Sequence, residues 1–225
     1  AYAAGILSGA LVGVLNGFLV VILGINSVIA TLGTMFLVGG LALVLTNGLP
    51  VYSMPDGYEF VGRGYVGPVP MPVIIMAIAV LLMVFVERRT LLGLYARATG
   101  SNPDSARLAG LPISWVQFVL FLAVGAAAGW GGIMISSRVG GYSFTIGQGL
   151  EFQVIVAVVL GGTSLTGGQG TVFGTLLGAY ILGSINNGLN LLGVPTFWQI
   201  VALGATLALA VLIDAFLRHR MRRSR

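Results

Sequence analysis

From Ala3 to Leu23 no charged side chain interrupts the chain, and the only polar ones are Ser8 and Asn16. The same apolar texture returns at Val28–Leu45, Val69–Val86, Ile113–Ile135, Val172–Gly193 and Phe197–Leu217. Apolar runs of about 20 residues match the ~30 Å hydrocarbon layer of a bilayer when they are helical. Six transmembrane helices are therefore predicted. A seventh run, Phe152–Gly162, is roughly half as long and admits two readings, a full crossing or a re-entrant half-helix. The polar stretches between runs are Thr46–Pro72, Arg88–Pro112, the short turn Gly24–Ser27 and the glycine-rich Thr163–Thr171.

Charge orients these runs. All eleven basic residues are arginine; five fall in Arg218–Arg225 and four between Arg88 and Arg107. Arginine-rich loops and tails stay in the cytoplasm, so both clusters belong on that side. Three long runs and the short one separate them, and only an even number of crossings returns the chain to the same side. Phe152–Gly162 is therefore expected to cross, extended through Glu151 or Ser164. The same parity puts Thr46–Pro72 and the N-terminus outside. An odd span number with an external start predicts further helices before Ala1. The expected fold class is all-α, a polytopic transmembrane helical bundle of about seven spans, forming one domain over residues 1–225.

Composition fits that picture: mean hydropathy is +1.01 and 8% of residues are charged. Glycine is abundant and spaced. Gly5, Gly9, Gly13 and Gly17 recur every fourth residue, and Gly125/Gly129 and Gly174/Gly178 repeat the interval. Such stripes let helix backbones approach closely in membranes, so tight packing is predicted there. An internal echo is also present: "LNGFLVVILGINSVIATLG" and "NNGLNLLGVPTFWQIVALG" share an Asn-Gly start and a Gly-x-x-[Ser/Thr] turn. By the parity above the two copies run in opposite directions, as in inverted repeats.

Much chemistry is missing. The chain has no lysine and no cysteine, and its single histidine, His219, has no partner histidine. Metalloprotease pairs, thiolate metal sites, Ser–Lys dyads and Schiff bases are excluded. "GGTSLTGGQGT" (Gly161–Thr171) lacks the Gly-Lys-[Ser/Thr] ending of a phosphate-binding loop. No catalytic residue, metal or cofactor is expected, and the chain is not read as an enzyme. The net charge of +5 follows from arginine placement in the membrane topology, so no nucleic acid partner is expected.

Ionisable groups inside a membrane are costly and mark function. Asp56 and Glu87 fall in loops by this reading, and Asp214 pairs with Arg218 one turn on. Glu151 opens the short span, as an N-terminal charge or as part of an external vestibule. With no carboxylate relay, ion-coupled transport loses support. Neutral groups remain: Asn16, Asn26, Gln153, Asn186, Asn187, Asn190 and Gln199, with Phe197 and Trp198 nearby. Asn186 and Asn190 lie at i,i+4 on one helix face. Such amides either tie helices together or line a path for an uncharged polyhydroxyl solute. The path candidates are Asn16, Gln153, Asn186, Asn190 and Trp198.

Between two apolar runs, "GLYARATGSNPDSARLAGLP" (Gly93–Pro112) is compact and polar. It turns at Asn102-Pro103 and offers a short helix, Asp104–Ala109. Asp104 favours the start of that helix, and Gly110 stops it before Pro112. A chain without a nucleotide site needs such a surface if a separate motor drives it.

Three stretches carry a family resemblance. "VVLGGTSLTGGQGTVFGTLLGAYILGSINNGLNLLGV" (Val158–Val194) resembles the permease subunits of ribose-type ABC importers. "INSVIATLGTMFLVGGLALVLTNGLPV" (Ile25–Val51) is similar to the same family's earlier helix and external loop, and "YARATGSNPDSARLAGLPI" (Tyr95–Ile113) to its ATPase-facing loop. Family members usually have further helices upstream. The resemblance implies a multi-pass protein of the bacterial cytoplasmic membrane. An extracytoplasmic solute-binding protein would deliver a monosaccharide, two permease subunits, alike or different, would form the path, and a cytoplasmic ATP-binding-cassette ATPase would power alternating access. It further implies that the segment around Ser101, Asn102, Asp104, Ala106, Arg107, Leu108, Ala109 and Gly110 couples to the ATPase, with Ala106 and Leu108–Ala109 entering a groove. Ribose, xylose, arabinose, galactose and a furanosyl autoinducer are all carried by relatives, and related permeases carry branched-chain amino acids. A self-sufficient channel or secondary transporter is the competing class.

Overall fold

The computed structural model describes residues 1–225 except 53, 166, 207, 209–211 and 213–225. The arginine tail, His219, the Asp214/Arg218 pair and the far end of the Phe197–Leu217 span lie outside the described residues. In chain order the elements are α1 (Tyr2–Gly17), which runs into a π-helical turn (Phe18–Ile22), α2 (Ser27–Thr46), α3 (Phe60–Arg63), the strands β1 (Tyr65–Val66) and β2 (Val69–Pro70), α4 (Met71–Arg89), α5 (Leu91–Ser101), α6 (Pro103–Leu108), α7 (Ile113–Val139), α8 (Leu150–Leu160) and α9 (Val172–Leu191). Residues 196–206 are helical as well.

Five helices are long and apolar enough to cross a membrane: Tyr2–Ile22, Ser27–Thr46, Met71–Arg89, Ile113–Val139 and Val172–Leu191. Each coincides with a predicted span. Their large side chains point outward, as Leu45 does at 82% exposure, which suits a lipid-facing surface because lipid is as apolar as they are. The chain folds as two compact units, 1–79 with 112–148 and 80–111 with 149–225.

In the first unit α1 lies along α7. The glycine ladder explains how. A Cβ at Gly9 would sit 2.8 Å from the Gly129 backbone and closer still to the Gly125 carbonyl, and Gly125 meets Gly9 and Gly13 in return. Gly5 and Gly17 instead receive the side chains of Ile133 and Phe118. α2 starts where the Asn26 side chain accepts from the Val28 and Ile29 amides at 3.0 and 3.4 Å, a helix N-cap. The connection after it is fastened to the end of α7. Ser137 is buried, accepts from the Gly62 amide at 2.8 Å and donates to the Tyr58 carbonyl at 2.7 Å. The Tyr58 hydroxyl bonds Ser136 at 2.6 Å, its ring stacks on Tyr2 at 5.5 Å, and Val51 bridges to Tyr142.

In the second unit α8 packs on α9 through Gly161, Gly174 and Gly178, with Val156, Ala157, Leu182 and Leu203 as its apolar centre. α8 ends at Leu160 and does not continue to Ser164. Its 11 residues rise about 16 Å at ~1.5 Å each, half the hydrocarbon thickness. Of the two expected extensions, the one through Glu151 is seen, since α8 starts at Leu150, and the one to Ser164 is corrected: Gly161 and Gly162 turn the chain instead. The echoed segments share one local device, a left-handed glycine three residues ahead of the next helix's first residue, Gly24 at φ +70° and Gly193 at φ +69°.

Candidate functional site

The polar segment folds as two helices rather than one loop. α5 was not foreseen. Thr90 caps it, accepting from the Gly93 amide at 3.4 Å while its hydroxyl donates to Val86 at 2.7 Å. At this corner a Cβ on Gly93 would meet the Val86 and Glu87 carbonyls at 2.5 and 2.6 Å, so only glycine fits. α6 carries both of its ends in its own sequence. The Asn102 side chain accepts from the Ser105 amide at 3.0 Å, Pro103 takes the first helical position and Asp104 the first turn. At the other end Gly110 adopts φ +75°, and the Gly110 and Leu111 amides donate to Arg107 and Ala106 at 3.0 Å each. This is a Schellman closure.

Burial redistributes the expected roles. Ala106 is 5% exposed, so its methyl group is covered within this chain, and the expectation that it enters a partner's groove is corrected. Leu108 is 90% exposed. Asn102, Asp104, Arg107, Ala109 and Gly110 share its open surface, as does Ser101.

Glu87 was read as a loop residue. It stands in the last turn of α4 and joins three elements. Arg97 of α5 donates to its carboxylate at 3.1 Å and to its backbone carbonyl at 2.9 Å, while the Val172 amide, first in α9, donates to the other carboxylate oxygen at 3.2 Å. The glycine-rich connection after α8 also rests on α5. A Cβ on Gly100 would meet the Gly168 nitrogen at 2.6 Å, and one on Gly168 would meet Ser101. Both polar connections thus lie at the same end of the second unit. Beside Gly100, Thr99 is buried and its hydroxyl has no hydrogen-bond partner among the described residues.

The path candidates divide. Asn16 belongs to the first unit, where its carbonyl oxygen accepts from the buried Thr34 hydroxyl at 2.8 Å, tying α1 to α2. In the second unit Asn190 accepts from Gln199 at 2.9 Å, and Gln199 also donates to the Val194 carbonyl. That pair closes the turn between α9 and residues 196–206. The Asn186 and Gln153 amides bond no described residue and are half-buried. Trp198 is exposed beside Phe197, with ring centroids 6.5 Å apart. Glu151 occupies the first turn of α8, where a negative charge suits the helix dipole. No group of titratable residues among the described ones could hold a metal ion.

Long apolar helices joined by a self-capped polar segment make this a multi-pass membrane protein. The chain belongs to the family described as the branched-chain amino acid transport system / permease component, whose model matches residues 1–212. It is 38% identical over 220 residues to the L-arabinose ABC transporter permease protein AraH of Azospirillum brasilense, covering 98% of this chain and 65% of that protein. It is 40% identical over 218 residues to the ribose import permease protein RbsC of Escherichia coli K12, covering 95% of this chain and 68% of the relative. The D-allose transport system permease protein AlsC of the same strain is 35% identical over 211 residues, covering 93% and 64%. The chain thus spans about two-thirds of the length of these curated relatives. No solved structure matches it.

Proposed function

We propose that this chain is the transmembrane permease subunit of an ATP-binding-cassette importer, carrying a monosaccharide across the bacterial cytoplasmic membrane by alternating access. Its partners are a cytoplasmic ATPase that docks on α6, an extracytoplasmic solute-binding protein and a second permease subunit. The observation that carries this reading is α6 itself: a rigid six-residue helix presenting Leu108 outward at the end of the unit that holds α9. Relatives named for ribose, L-arabinose and allose import support a sugar as cargo. Neutral amides on α9, Asn186 foremost, suit hydroxyl groups as donors and acceptors alike. The role of α8 is to cross together with the connection before it. The glycine connection beside α5 then shares the cytoplasmic side with α6.

The test is pull-down of the ATPase with the chain, alongside uptake of labelled sugars. Leu108→Asp should remove a docking anchor worth roughly 2–4 kcal/mol, weakening ATPase retention about 30- to 1000-fold. Full retention and full uptake by that variant would reject α6 as the docking element. Uptake of leucine or valine in place of ribose, L-arabinose and D-allose would move the cargo to branched-chain amino acids, the solute in the family's description. Asn186→Leu should lower uptake without affecting ATPase retention. In a chain lacking cysteine, single cysteines at Leu108 and Leu165 should react with an impermeant maleimide from the side opposite a cysteine at Tyr65. Reaction of Leu165 from the Tyr65 side would show that α8 does not cross.

A further inference from the structure

Docking on α6 explains where force enters; it leaves open how force reaches α9. Within the second unit two joints connect them. The first is the Glu87 carboxylate, whose side chain is 15% exposed. One oxygen receives Arg97 of α5 at 3.1 Å and the other receives the first amide of α9 at 3.2 Å, across 85 residues of sequence. The second is the backbone seat of Gly100 on Gly167 and Gly168. Between these joints the end of α4, α5 and the start of α9 have little freedom to slide separately.

The chemistry of the first joint is specific. An unpaired amide at a helix start attracts negative charge, and a carboxylate has two oxygens, so one can hold the helix start while the other holds a guanidinium. A neutral side chain of similar shape keeps one acceptor and loses the charge that serves both. Arg97 is half-exposed, and an ion pair of that kind adds little to stability. Its second bond, to the Glu87 carbonyl at 2.9 Å, makes it a bracket around the α4–α5 corner. We infer that Glu87, held by Arg97, is a positioning residue that makes the ATPase-facing hairpin and α9 move as one body, so that displacement of α6 reaches the amides of α9. This rests on the importer reading above. It assigns Glu87 no contact with the sugar or with ATP.

The experiment uses the full chain, assembled with its ATPase and binding protein in proteoliposomes, and records three quantities: ATPase retained, ATP hydrolysed, and labelled ribose, L-arabinose or D-allose taken up. Glu87→Ala and Arg97→Ala should keep the ATPase bound while the sugar moved per ATP hydrolysed falls about ten-fold, within the range reported for coupling residues. Glu87→Gln should fall less, because its carbonyl oxygen still accepts from Val172. A purely structural role would reduce the amount of inserted protein and leave the ratio unchanged. An unchanged ratio in Glu87→Ala, or in Arg97→Ala should the first variant insert poorly, overturns the inference while the importer reading stands. Failure of the unsubstituted chain to retain its ATPase would overturn that reading, and the inference with it.

Discussion

The α1–α7 and α8–α9 pairs are built from the same small-residue spacing and do different mechanical work. Along α1 the glycines fit against α7 over four turns, and the connection above α2 is bonded to the same helix through Ser136, Ser137 and Tyr58. Buried hydroxyls there have partners, Thr34 with Asn16 and Ser137 with Gly62. The α8–α9 pair joins a helix of 11 residues to one of 20, so the later turns of α9 extend beyond the contact. Its unit also contains a buried hydroxyl, Thr99 of α5, without a partner among the described residues. A long close-packed joint resists local opening more than a short one does. The first unit, with the longer joint and bonded buried hydroxyls, is the better-satisfied frame.

The comparison breaks most visibly in the frame. Gly9→Leu places a side chain where the Gly125 and Gly129 backbones already stand, and backbone cannot give way as a side chain can. It should cost about 3 kcal/mol or more and lower the unfolding midpoint in detergent by roughly 6–12 °C. An unchanged midpoint would mean that α1 and α7 are not in contact. Gly100→Val should prise α5 from Gly168 at a cost of about 1–3 kcal/mol, with uptake lost at temperatures where the protein is still folded. Retained uptake would remove the second joint between α5 and the glycine connection.

Two threonine-to-valine changes sharpen the contrast because they should carry opposite signs. Thr34→Val strips the Asn16 carbonyl of its donor and should destabilise by about 1 kcal/mol. Thr99→Val replaces an unpartnered buried hydroxyl with a methyl group and should be neutral or stabilising by up to about 1 kcal/mol. Melting curves of the two variants in one detergent decide the matter. Equal losses would remove the distinction between satisfied frame and unsatisfied second unit.

The long spans were legible because hydrophobicity over about 20 residues is a local signal. Ile113–Ile135 and Val172–Gly193 were placed within a few residues of α7 and α9. The short helix after Asn102 was legible for a similar reason: its cap, its proline and its glycine all lie within ten residues of one another. What escaped was long-range. Glu87 reads as a charge at a membrane edge until Val172, far away in sequence, is brought to it by folding. The bonds from Ser137 to Tyr58 and Gly62 join positions 75 to 79 residues apart, and this serine does not differ in pattern from any other small polar residue at a helix end. Ala106 illustrates the converse. Its small size is compatible with entering a groove or with being covered, and only its burial within the fold decided which.

The two caps of α6 bear on assembly. A segment that folds only on meeting its partner gives up part of the interaction energy to ordering, roughly 2–5 kcal/mol for coupled folding, and presents its side chains to collisions in many arrangements. Asn102 and Gly110 settle that question beforehand: the helix exists as a preformed key with Leu108 fixed on its outer face. If a partner docks there as proposed, subunit joining would be rigid docking, with a small heat-capacity change and an association rate set by orientation rather than by refolding. A contact of this kind can loosen and re-form at every turnover without re-forming its own helix each time.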